Sequence, residues 1–357
     1  MSRFLDPGEN RFFAPGSEFA LIERMFSASH FARDGRGLGD DAFVLDPPHS
    51  TKLVVITSDV SAEKVHYRLD WVAPERALRK ALLSNLSDIN AMGGRSRFAF
   101  FNLGARREWA PEVFDALGAA LRALEDEAGF TVAGGDTVKL PDSSFFSFTV
   151  MGEVEGCPLL RSACRPGHRV YVSGSLGGSA AGLDLLSKNS GPVESTLLES
   201  DLVWAPLIQA HLDPRPPLDL GPLLATFAAL EPGREIAAID LSDGLSSELA
   251  HLARQSGCAI TLEADKLPAH PALAAVRPAY SFEATRDFLL HGGEEYQLVF
   301  TGNFSAEELA RMRALTPVTE IGFVTAGEGV RLREGGEEKV LEARGFSHGD
   351  PRVEGRG

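Results

Sequence analysis

The apolar positions of the chain change period as they are followed from one end to the other. Residues 43–45 and 53–58 are short β-rich runs, separated by a proline turn at Pro47–Pro48. From Pro74 the spacing lengthens. Ala77, Leu78, Ala81, Leu82, Leu86 and Ile89 recur at three- and four-residue intervals, which predicts a helix to about residue 92. A proline opens it and Gly93–Gly94 close it. A buried strand is expected over 97–103, a second proline-opened helix over 111–128, and strands over 130–133 and 145–154. A short helix is predicted at 17–25, ahead of all of these.

At 155–168 the composition shifts, with two prolines and two glycines in fourteen residues, and a domain boundary is read there. Beyond it the pattern predicts a strand at 169–173, a glycine-rich turn (GSLGGSAAGL) opening a helix, and a proline-rich loop over 212–222. A helix near 223–230, a strand over 235–239, a helix after Gly244, and strands at 259–263 and 296–301 follow. Neither half is a regular βαβ repeat. Hairpin-like strands mix with long helices, so the fold class is α+β, with two α/β-layered domains over 17–155 and 156–347. The last residues, 349–357, are polar and glycine-bearing and are expected to fray.

Composition narrows the function classes. The chain has 357 residues, 44% of them apolar, enough for a sizeable core. Fifty acidic residues against 35 basic ones give a formal charge of −15, which argues against a nucleic-acid or anionic-membrane surface. An anionic substrate would need cations, metal ions or backbone N–H groups. Cys157, Cys164 and Cys258 are scattered and form no CxxC pair, so no disulfide framework or thiolate zinc site is indicated. The N-terminal stretch has no apolar signal-peptide core, and no run approaches the roughly 20 apolar residues that span a bilayer. A cytoplasmic protein is expected.

The candidate chemistry lies in aspartates at element ends. GDDA at 39–42 precedes a strand, TSD at 57–59 ends one, GGDT at 134–137 follows one, and DLSDG at 240–244 follows another. NLSD at 85–88 sits near the end of a helix. Any one cluster reads as a turn or helix cap. Several in one chain would repel one another if brought together without a counter-charge. Oxygen ligands without His or Cys suit hard cations such as Mg²⁺, which could clamp a polyphosphate. The glycine-rich turn at 174–183 could offer backbone N–H groups to phosphate, although it is neither a Walker A loop nor GxGxxG. Arg161 could meet a phosphate, and His66 or an acid of HGGEEYQL a ligand.

Taken in order, GDDAFVL, TSDVSAEKVHY, ALLSNLSDINAMG, VAGGDTVK, IDLSDGLSSELAHLARQSG and GGEEYQLVFT resemble the thiamine-monophosphate kinases. Those enzymes share a superfamily with aminoimidazole ribonucleotide synthetase, selenophosphate synthetase and the hydrogenase-maturation dehydratase. The resemblance runs from about residue 18 to 346. It implies transfer of the ATP γ-phosphoryl group to thiamine monophosphate, with no phospho-enzyme. It places Mg²⁺ ligands at Asp41, Thr57, Ser58, Asp59, Asp88, Asp136, Asp240 and Asp243. Nucleotide contacts fall on Gly135, Asp136, Arg161 and Ser242, and thiamine-side contacts on His66, Glu294 and Phe346. It also implies a homodimer in which the N-terminal sheet pairs with that of a second subunit to form a barrel, and a cleft completed by a C-terminal α/β domain. The chain departs from the usual pattern at Tyr67, at Gly94–Arg97, and at Glu295 and Gln297. Two rival readings are another enzyme of the superfamily and a nucleotide-binding scaffold. The first lacks the early reactive cysteine of the selenophosphate enzymes, and the second gives no reason to keep so many acidic ligands.

Overall fold

The computed structural model describes residues 40–45, 52–188, 204–276 and 280–345. The helix expected at 17–25, the tail at 349–357 and Phe346 lie outside these segments. The described chain is a mixed α+β structure with two sheets, and the stretch 155–168 runs between the last strand of one and the first of the other.

The first sheet contains β1 (Phe43–Leu45), β2 (Leu53–Ala62), β3 (Arg95–Arg106), β4 (Thr131–Leu140) and β5 (Phe145–Val154), in the order β1-β2-β5-β3-β4. All pairs are antiparallel except β3 with β4. Helices α1 (Pro74–Ala91) and α2 (Pro111–Ala128) accompany it, each with proline in its first turn. Strand alternation sends Phe146, Phe148 and Val150 of β5 inward, where they are fully buried beside Leu82, Leu86 and Ile89 of α1. The opposite face is left open. Val60, Phe98, Phe100 and Val138 on it are 40–54% exposed.

The second sheet holds β6 (Arg169–Ser173), β7 (Ala237–Asp240), β8 (Ala259–Glu263), β9 (Leu298–Gly302), β10 (Val318–Thr325), β11 (Gly329–Glu334) and β12 (Glu337–Val340). Their order is β12-β11-β8-β10-β6-β9-β7. Among the described residues, six helices longer than a single turn belong to this half, five of them being α3 (Gly178–Lys188), α4 (Ala205–Leu212), α5 (Leu220–Leu230), α6 (Leu245–Ser256) and α7 (Phe282–His291). A sixth, α8 (Ala306–Leu315), opens on a capping box between Ser305 and Glu308. Both faces of this sheet are covered. Leu245, Leu249 and Leu252 of α6 pack with Ile239 and Val299 on one side. On the other, Phe227 of α5 and Met312 of α8 pack with Tyr171 and Phe300 in a core continuous with that of the first sheet.

Helix α1 is the joint between the sheets. The Asn90 carboxamide oxygen accepts the Gly221 N–H at 2.8 Å. A Cβ at Gly221 would lie 1.7 Å from the Asn90 carbonyl oxygen, so only glycine allows this approach. Three expectations need correction. The strand over 53–58 was expected to end at Asp59, but β2 continues through it to Ala62. The strand at 130–133 was expected to stop at Gly134–Gly135, but β4 runs on to Leu140. Its parallel ladder with β3 continues past a register shift, and Gly135 lies so close to β3 that a Cβ would meet the Phe101 carbonyl oxygen at 1.7 Å. Those glycines are therefore close-approach residues and not terminators. The loop over 212–222 is also shorter than expected, because α5 begins at Leu220.

Candidate active site

Helix α1 carries a polar stripe, Lys80, Ser84, Ser87 and Asp88, beside its apolar face. Around it the ends of elements from both sheets converge. Among the described residues, Asp41, Asp88 and Asp240 place carboxylate oxygens within 4.8 Å of one another. They arrive from the start of β1, from α1 and from the end of β7. The Thr57 hydroxyl donates to Asp88 at 2.7 Å and the buried Ser87 hydroxyl to Asp240 at 2.7 Å. The Asp59 N–H donates to the Asn85 carboxamide oxygen at 3.2 Å.

Burial pushes the Asp88 carboxyl well above the usual carboxylate range, and the charges of Asp59, Asp240 and Asp41 push it further. Asp240 is raised too, by burial and then by Asp41 and Glu248. Gathered like charges of this kind are quenched by protons or by a cation. All their donors are hard oxygens, so the cluster fits a divalent ion such as Mg²⁺. One counter-charge is built in. The Arg161 guanidinium donates to Asp41 at 2.6 Å, while the Arg161 backbone N–H donates to Asp40 at 2.9 Å. Burial opposes the charge of Arg161, but Asp41, with Glu248 and Asp40 behind it, holds the cation.

The DLSDG turn is held from two sides. The buried Glu248 of α6 accepts the Asp243 N–H at 3.0 Å and the Ser242 hydroxyl at 3.4 Å. Its own carboxyl is pushed up to about 8 by burial and by Asp243. From the other side the HGGEEYQL loop lies backbone to backbone on the turn. The Glu294 N–H donates to the Ser242 carbonyl at 2.6 Å, and those of Glu295 and Tyr296 to the Leu241 carbonyl at 3.1 and 2.9 Å. Glu294 and Tyr296 sit at φ 58° and 50°, the left-handed region that side-chain-bearing residues avoid. Strain of this kind persists where surrounding contacts impose it.

The imposed conformation sends Glu294 toward α1. Its carboxylate meets Lys80 Nζ at 2.9 Å and His211 Nδ1 at 3.5 Å. Burial alone would raise Glu294, but Lys80, then His211 and His66, bring it below the usual range. His66 Nδ1 accepts the Ala62 N–H at 3.1 Å. Tyr67 holds the same loop, its hydroxyl bonded to Ser144 at 2.8 Å, and Ser144 donates to Glu63. Glu295 turns the other way and accepts the N–H groups of Gly177, Gly178 and Ser179 at the start of α3. The glycine-rich turn therefore spends its donors on a protein carboxylate and not on a phosphate.

Strand alternation separates the remaining candidates. Thr57 points inward to Asp88, whereas the Ser58 hydroxyl bonds Thr149 at 2.9 Å on the open face of the first sheet. Asp136 is exposed in β4, in register with Asn102 of β3, and its carboxylate accepts the neighbouring Thr137 N–H at 2.8 Å. Gly135 is beside it, against Phe101. Among the described residues, Asp136 is not one of the carboxylates gathered with Asp88, and the Ser58 hydroxyl is engaged by Thr149 instead. Sequence reasoning missed Lys80, Ser87, His211 and Glu248. Ser87 was legible only as a polar neighbour of Asp88 on α1; nothing local marked the roles of Lys80, His211 and Glu248.

Comparison with known proteins gives a consistent picture. Residues 39–154 match the family model for the AIR synthase related protein, N-terminal domain. The thiamine-monophosphate kinase of Bacillus subtilis (strain 168) is 33% identical over 340 residues, 93% of this chain and 99% of that one. The solved structure of AaThiL complexed with AMPPCP and TMP is 29% identical and superposes with a TM-score of 0.78, covering 94% of this chain and 99% of the other. The crystal structure of thiamine-monophosphate kinase from Stenotrophomonas maltophilia K279a is 33% identical with a TM-score of 0.69, covering 90% and 97%.

Proposed function

The chain belongs to the thiamine-monophosphate kinase family, and on that premise we propose that it transfers the γ-phosphoryl group of ATP to the phosphate of thiamine monophosphate, yielding thiamine diphosphate and ADP. The observation that carries this reading is the meeting of Asp41, Asp88 and Asp240 from two sheets beside one cationic guanidinium. An ATP-dependent kinase of net charge −15 must bring two anionic substrates together.

Mg²⁺ held by Asp41, Asp59, Asp88, Asp240 and Asp243, with Thr57 alongside, would supply neutralisation of the phosphate charges and their alignment. The protein's own groups do the rest. Arg161 and Ser242 meet the polyphosphate, Ser242 being fixed by Glu248 and by the Glu294 backbone. The attacking phosphate oxygen is already anionic, so no general base is required, and orientation carries the catalysis. His66, Glu294 and Phe346 receive the thiamine end. The two functional units are residues 17–155 and 156–347. A second copy pairing with the open face of the first sheet would cover Val60, Phe98, Phe100 and Val138 and close a barrel. Ser58, Gly135 and Asp136 would join the site at that junction. The absence of any helix long and apolar enough to cross a membrane, among the described residues, is compatible with a cytoplasmic setting.

The test is to incubate the protein with thiamine monophosphate, ATP and Mg²⁺ and to quantify thiamine diphosphate as its fluorescent thiochrome derivative. Product from the wild type, and almost none from Asp240→Asn, is expected. A folded, ATP-binding wild type that makes no diphosphate would point to another acceptor.

A further inference from the structure

The corner that holds Glu294 contains more than a ligand-binding carboxylate needs. Lys80 Nζ lies 2.9 Å from Glu294 Oε1 and 3.5 Å from His211 Nε2, and its side chain is only 8% exposed. Burial and the neighbouring Lys80 push His211 down to about 3, so its ring is neutral. A neutral imidazole has one donor and one acceptor, and an ammonium can only donate. Nε2 is therefore the acceptor and Nδ1 carries the proton. That N–H faces Glu294 Oε2 at 3.5 Å and the Ser179 hydroxyl at 3.1 Å.

The charge count follows. One carboxylate is matched by one ammonium, so the pair offers little net charge to a cationic ring. What it does offer is lone pairs, on a side chain that remains 28% exposed. A carboxylate so held only accepts hydrogen bonds. The titratable groups facing it are Lys80 from α1, His211 from α4, His66 from the loop after β2, and Glu295 and Tyr296 of its own loop.

We propose that Lys80 is a positioning residue that aims Glu294 as an acceptor for an N–H donor on the substrate, the exocyclic amine of an aminopyrimidine, and that this contact sets the specificity of the site. The inference rests on the kinase reading above and deepens it.

Lys80→Met, Glu294→Gln and the double variant would be compared with wild type, using thiamine monophosphate and its analogue with a carbonyl in place of the amine. Lys80→Met should raise KM for thiamine monophosphate roughly 30-fold. KM for ATP should not change. The acid limb of kcat/KM should move to higher pH, because Glu294 stays half-buried but has lost its counter-charge. In the Glu294→Gln background the lysine substitution should add nothing to KM. Preference for the amine over the carbonyl should shrink in both single variants. If Lys80→Met fails to fold, Lys80→Arg carries the test: the charge survives, so the acid limb should stay where it is.

An unchanged KM in Lys80→Met, an equal penalty with or without Glu294, undiminished discrimination, or a displaced acid limb in Lys80→Arg would overturn the inference and leave the kinase reading standing. Absence of wild-type turnover would overturn both.

Discussion

The two ends of the site treat buried carboxylate in opposite ways. At one end Asp41, Asp88 and Asp240 are crowded within 4.8 Å, with Arg161 against Asp41. At the other, Glu294 has Lys80 and His211 fitted around it. The first arrangement is charged beyond what the protein neutralises and so depends on something it must bind. The second is complete and so reads shape and hydrogen bonding. Crowded like charge is a stored demand for a cation, and matched charge is a specificity device.

The largest effects should come from the crowded end. Asp88→Asn removes a charge that a divalent ion would meet, and turnover should fall by roughly 10³-fold or more in a steady-state assay. Ion binding, read by calorimetry, should weaken in parallel. A variant with near-normal kcat would dissolve the contrast between the two ends. A change at the sheet's open face comes next. Val138→Asp places a charge on a face where Val138 is 44% exposed, and light scattering should show the proposed dimer giving way to a monomer. Ser87→Ala is subtler. Loss of the hydroxyl that donates to Asp240 at 2.7 Å should cost about 1–2 kcal/mol of transition-state stabilisation, a roughly tenfold loss in kcat/KM.

The smallest effect is one of pH. Burial pushes Glu295 from its ordinary 4.5 up to about 8, against the pull of three backbone N–H groups. The folded chain therefore holds a proton that the unfolded chain releases. Stability from this group is complete below pH 4.5 and is lost as pH rises toward about 8. Glu295→Gln cannot ionise. Its melting temperature should match wild type at acid pH and exceed it above pH 8, which differential scanning calorimetry would register.

Legibility followed from how local each feature is. Proline-opened α1 and α2 carry their signal within themselves, and their bounds were readable to within a residue. Strands β10, β11 and β12 were not anticipated. VTEIGFVT and GVRLRE interleave charge and glycine with apolar residues, and the hydrogen bonding that stabilises them comes from distant partners. The same rule holds at the site. The aspartate clusters announced themselves, although Asp59 and Asp136 lie within β2 and β4 and not at their ends. Lys80 did not, because it is separated by more than two hundred residues from the Glu294 it serves. Ser58 and Asp136 looked equivalent to Thr57 and Asp88 in the sequence. Only the two-residue alternation of β2 and the register of β4 with β3 set them on the other face.

The central claim is that the Asp41–Asp88–Asp240 cluster is built for a cation that the phosphates share. Thermal unfolding at pH 7.5 tests it most directly, measured with EDTA and again with Mg²⁺ and ATP, for wild type and Asp240→Asn. Wild type should gain several degrees from Mg²⁺ and ATP. Asp240→Asn should melt higher than wild type in EDTA, because repulsion is relieved, and should gain little on adding them. A variant that is less stable in EDTA yet keeps the full gain would mean that these carboxylates are structural and that the phosphates are held elsewhere.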